Sequence, residues 1–124
     1  MRSPRDSNGI MKTLNPREAS RLAISANSSR PATAVLHDSD DVRLVVFRIA
    51  AGQHVPPHRN ASSVMLTVLE GEGLISGEES GAPIEVRCRQ GDVVTYAPNE
   101  LHGMRAESGE LLLLATIAPR PGSR

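Results

Sequence analysis

Short runs of β-branched and aliphatic residues, each closed by glycine, proline or asparagine, recur at roughly ten-residue spacing from Val42 onward. "VRLVVFRI" ends at Ala51-Gly52, "VMLTVLEG" at Gly71, "GLIS" at Gly77, "IEVRC" at Gly91, "DVVTYAP" at Asn99, and "LLLLATIAP" closes the series. Runs of this length and composition read as strands, and their even punctuation predicts an all-β antiparallel sandwich or jelly-roll barrel. Gly71-Glu72-Gly73 reads as a strand-ending turn, and the polar segment from Ser76 to Pro83 as a hairpin loop.

The first part of the chain follows a different pattern. Residues 1–13 are rich in charge and turn formers and are expected to be a flexible tail. Asn15 as N-cap, Pro16 at the first helical position and Glu18 at the third predict a short helix over about 16–26. Its apolar positions, Ala19, Leu22, Ala23 and Ala26, fall on one face that packs on the body or on another subunit. The expected organisation is a tail (1–13), a helix and connector (14–40), a barrel (41–119) and a short tail (120–124).

A chain of 124 residues holds one core without disulfide help. Its 14 basic and 14 acidic residues balance, and the basic ones are scattered, so no field draws it to nucleic acid or to an anionic membrane. The longest apolar run, "LLLLATIA", falls far short of the roughly 20 residues of a membrane-spanning helix. With no secretory h-region at the N-terminus, the expected location is cytoplasmic. The single cysteine, Cys88, is either a structural strand residue or a thiol activated by Arg87 and Arg89. No phosphate-binding glycine loop or serine-hydrolase elbow occurs, and Ser62-Ser63 has no acid partner for a triad.

Four histidines carry what chemistry remains. Residues two apart on a strand share a face about 6–7 Å apart, so a His-x-His pair can clasp one ion and a third ligand of the same parity can complete it. At the positions such a triple would occupy stand His58, Asn60 and Val64, of which only His58 is a good ligand; an Asn carbonyl is a weak neutral donor and Val cannot ligate. His102, in "APNELHGMRA", is the obvious partner from another strand. His54 shares the parity of His58, but four extended residues span about 13 Å, so it ligates only if the Pro56-Pro57 corner folds back. His37 reads as a surface residue ahead of the first barrel strand.

These residues resemble the cupins, whose first motif is G-x5-H-x-H-x(3,4)-E-x6-G and whose second is G-x5-P-x-G-x2-H-x3-N. Gly52, His58, Asn60, Val64 and Gly71 fit the first frame, and Gly91, Ala97, Asn99, His102 and Ala106 the second. The resemblance runs from about residue 42 to 117 and rests on "TVLEGEG" and "GDVVTYAPNELHGM". It implies a cupin double-stranded β-helix, a jelly-roll barrel with a short N-terminal helix. It also implies a metal at positions 58, 60, 64 and 102, where two ligands survive as histidine. The chain is similar to small bacterial one-domain cupins that keep a single histidine in the first motif, for which no settled reaction follows and a homodimer is expected. Asn99 stands where the family has a turn glycine, and asparagine tolerates the left-handed backbone that turn needs.

On barrel parity Val64, Tyr96 and Met104 face inward with the histidines, so Asn60, Val64, Tyr96 and Met104 join His58 and His102 as the lining of a small-molecule pocket. The preferred function is therefore small-molecule binding with no chemistry. The alternative is a metal-dependent oxygenase or isomerase whose divalent ion (Zn, Fe, Mn or Ni) is held by His58 and His102, with Asn60 or His54 assisting. A third reading makes the pocket mere packed core. Because Val64 replaces a carboxylate, an ion would need waters or substrate oxygens to offset its charge.

Overall fold

A computed structural model describes residues 11–25 and 29–121, so most of the two expected tails, and Ala26, lie outside the described residues. The helix α1, Pro16–Leu22, begins as its sequence dictates: Asn15 Oδ1 accepts from the Glu18 amide at 3.0 Å and Pro16 occupies the first turn. It stops earlier than the apolar spacing predicts. Arg48 donates to the carbonyls of Ser20 and Ala23 at 2.9 and 3.0 Å, so a tertiary donor caps the last turn and the chain leaves in an extended conformation at Ala23.

Eight strands follow: β1 (Ala32–Asp38), β2 (Arg43–Ile49), β3 (His54–His58), β4 (Ser63–Glu79), β5 (Ala82–Arg89), β6 (Val93–Tyr96), β7 (His102–Arg105) and β8 (Leu111–Ala118). They pair antiparallel in the order β1-β2-β8-β4-β7-β3, with β5 and β6 also on β4. The 17-residue β4 is the hinge of the architecture. Its first half pairs with β6 and β8, its second with β5 and β7, and between them the register shifts at Val68–Glu70.

Three expectations need correcting. Gly71-Glu72-Gly73 does not end a strand but lies inside β4 where it bends from one sheet to the other. Gly71 has φ +79°, and a Cβ there would overlap the Glu110 carbonyl oxygen, so only glycine fits this bend. The loop expected over 76–83 shrinks to Ser80-Gly81, both at positive φ, because β4 and β5 stay paired out to Glu79 and Ala82. Within the connector expected over 14–40, "ATAVLHD" forms the edge strand β1, paired with β2 and carrying His37 opposite Leu44. Two alanines and an aspartate give this run little strand signature; pairing with the β-branched β2 supplies it.

Alternate residues of β4 and β8 build the core. Val64, Leu66 and Val68 face Leu111, Leu113 and Ala115 together with Ile49, Ile75 and Met104, and all are buried. Each large aliphatic side chain removed from water here contributes about 1.5–3 kcal/mol. Cys88 belongs to this core, and burial followed by the Asp92 charge pushes its thiol pKa up. The structural reading of Cys88 therefore holds over the activated one.

Candidate functional site

The short strand β3 reaches β7 through its two prolines. Pro57 passes against Gly103, where a Cβ would sit 3.0 Å from the Pro57 Cα, and the β3–β7 register shifts between Val55 and His58. Val55 lies opposite Met104 and His58 opposite His102, residues of one parity on β7. The bulge thus breaks the parity that His54 and His58 would share in a regular strand: His54 falls opposite Arg105 instead.

His58 and His102 stack edge to face, with ring centroids 4.1 Å apart and planes at 60°. Tyr96, opposite Val64 on β4, brings its ring to 5.2 Å from His102 and donates its hydroxyl to the Ser76 carbonyl at 2.5 Å. His102 is buried at 4 % exposure, while His58 is exposed.

Each imidazole is anchored in the same way. Nδ1 of His58 lies 3.1 Å from the Pro56 carbonyl, and Nδ1 of His102 lies 3.3 Å from the Glu100 carbonyl. A carbonyl oxygen only accepts, so each Nδ1 carries a proton, and in a neutral ring the lone pair is left on Nε2. Burial is the main cause that lowers the His102 pKa, the neighbouring His58 adds to it, and the Glu100 carbonyl partly opposes both. At neutral pH the buried ring is uncharged. Burial likewise raises the Tyr96 pKa, so its hydroxyl remains protonated.

The turns around the pair are built by asparagines. Asn99 takes the left-handed conformation expected of it, with φ 69°, and its amide donates to the Asn60 carbonyl at 2.7 Å. Asn60 lies beyond the end of β3, and its Oδ1 accepts from the Ser62 amide at 2.9 Å. That oxygen holds a turn. Ser62 is buried and gives its hydroxyl to the Pro119 carbonyl at 2.6 Å.

Val64 and Met104 are buried in the core, at 2 % and 3 % exposure. Among the described residues no group of three or more His, Cys, Asp or Glu side chains is placed to hold a metal. Two imidazoles beside an apolar Val64 leave a divalent charge without a carboxylate to offset it, so this donor set does not fit a resident ion.

Tyr96 also lines a groove of about 390 Å3 between β5 and β6, with Val94, Ile84, Val86 and Glu100. Sequence reasoning placed the ring residues but missed the carbonyls of Pro56, Glu100 and Ser76 that orient them. Main-chain acceptors leave no mark in side-chain identity. A second cavity, near His54, lies between β1 and β3.

The profile of the cupin domain family matches residues 45–117. An RmlC-like cupin protein from Desulfovibrio desulfuricans is 32% identical, with a TM-score of 0.70, over 88% of this chain and 97% of that one. An uncharacterized conserved protein with a double-stranded beta-helix domain from Klebsiella pneumoniae is 19% identical, with a TM-score of 0.75, over 89% and 91%. The DMSP lyase DddQ from Ruegeria pomeroyi is 20% identical, with a TM-score of 0.65, over 77% of this chain and 50% of that one. No curated protein matches the sequence.

Proposed function

The chain belongs to the cupin family, and from that premise we propose that it binds a small neutral molecule at the His58–His102 pair without a resident metal. The observation that carries this reading is the common anchoring of two rings whose centroids lie 4.1 Å apart, which engages both Nδ1 atoms with backbone carbonyls and leaves the Nε2 atoms as acceptors for a ligand. Two neighbouring acceptors suit a ligand with two neighbouring donors, and the apolar residues Val94, Ile84 and Val86 near Tyr96 suit its hydrocarbon part.

The metal-dependent oxygenase or isomerase has one observation in its favour. Histidines that ligate metals are commonly held through Nδ1 by a carbonyl, as both are here. The donor count weighs against it. Fold alone favours neither, since this architecture hosts many activities.

Titration with trans-cyclohexane-1,2-diol, followed by the imidazole resonances, tests the binding reading. The diol is expected to shift His58 and His102 together and to lose its effect in His102→Ala. Shifts confined to other residues would refute it.

A second copy of the chain is the proposed partner. On the outer sheet face Val93 and Met65 are exposed, and the uncharged Ala34, Leu114 and Thr67 are half-buried. Such a face suits another of its own kind. Light scattering is expected to return twice the 13.3 kDa chain mass at micromolar concentration, and the single-chain mass would refute the dimer.

A further inference from the structure

β1 and β3 are the two ends of the strand order, and a cavity of about 580 Å3 lies between them. That volume is in the range that encloses a small organic ligand. Phe47, Val55, Pro56 and Ile24 supply apolar wall, while Arg30 and His54 stand on it as hydrogen-bond donors, and no acidic residue lines it. Neither His58 nor His102 contributes to this wall.

The wall is held in place. Gln53 accepts from the Ala50 amide at 2.8 Å and donates to the Arg30 carbonyl at 3.1 Å, and Ser25 donates to the same carbonyl. These contacts fix the connector to the turn between β2 and β3, which positions Arg30 beside the start of β3. Most arginines in the described residues pair with a carboxylate. The Arg30 guanidinium has no such partner among them.

We propose that the gap between β1 and β3 is a second binding site, for a small monocarboxylate with an apolar body, separate from the histidine pair. A guanidinium with no carboxylate partner among the described residues, at a cavity with no acid in its lining, is complementary to one carboxylate, which a planar fork of N–H donors holds in two parallel hydrogen bonds. His54 offers a further donor from the strand edge, and the Phe47 ring and Val55 bury the hydrocarbon part. A neutral analogue of the same shape keeps the apolar contact and loses the ionic one.

Calorimetric titration with hydrocinnamate and with hydrocinnamyl alcohol tests this on the full chain. The wild-type protein is expected to bind the acid at least about tenfold more tightly than the alcohol, the contribution of a charge-assisted hydrogen bond. Arg30→Gln should abolish that preference while leaving the alcohol's affinity unchanged, and His54→Gln should weaken the acid by a smaller factor. Both positions are exposed, so neither variant endangers the fold. His102→Ala should bind both compounds as the wild type does, which separates this site from the one proposed above. Equal affinity for acid and alcohol, no binding at millimolar concentration, or loss of acid binding in His102→Ala but not in Arg30→Gln would each overturn the proposal.

Discussion

The seam between β4 and β8 and the paired histidines on β3 and β7 are neighbours in one barrel, yet they differ in what holds them. Along the seam, Leu66, Val68, Leu111 and Leu113 interlock at 0–1 % exposure over a paired β4–β8 ladder, and close packing fixes the side chains. At the histidines, one ring is buried and the other exposed, and two backbone carbonyls set their orientation. Val64 stands at the boundary. The cupin motif places a ligand there, and in this chain the residue has joined the seam.

This contrast orders the expected effects of substitution. Leu113→Ala, in the middle of the seam, should cost about 2–5 kcal/mol in denaturant unfolding, whereas His102→Ala should cost much less. Equal losses would mean that the histidine end carries the fold as much as the seam does. Gly71→Ala comes next. Its positive φ and the overlap with the Glu110 carbonyl should cost about 1–3 kcal/mol, and an unchanged melting temperature would show that β4 does not bend as described.

The smallest effect is that of pH. Burial lowers the His102 pKa in the folded state below its ordinary 6.5, so below pH 6.5 the unfolded chain takes up a proton that the folded ring resists. The stability this group contributes is fully present above 6.5 and is lost as pH falls toward the folded value, with a slope of at most about 1.4 kcal/mol per pH unit. His102→Ala should flatten that part of the profile. A wild-type curve and a variant curve that run parallel between pH 7 and 5 would place His102 in water.

Most of the strand plan was legible because glycine and proline punctuation is local. Asn99 is the clearest case, since a left-handed turn limits residue choice on the spot. The rest was set by contacts distant in sequence. The bulge in β3 depends on Pro57 meeting Gly103, the end of α1 on Arg48, and the bend in β4 on the Glu110 carbonyl close against Gly71. At the site, His58 and His102 could be paired from motif spacing alone. The engagement of Asn60 by the Ser62 amide and the separate placement of His54 could not, because both follow from turn and register geometry.

The central claim is that the His58–His102 pair, where the cupin motif holds a metal, keeps no resident ion in this chain. Elemental analysis of protein purified without an affinity tag, beside His58→Ala prepared in the same way, tests it most directly. The expected result is no stoichiometric first-row metal in either protein. One ion per chain in the wild type, lost in His58→Ala, would contradict it.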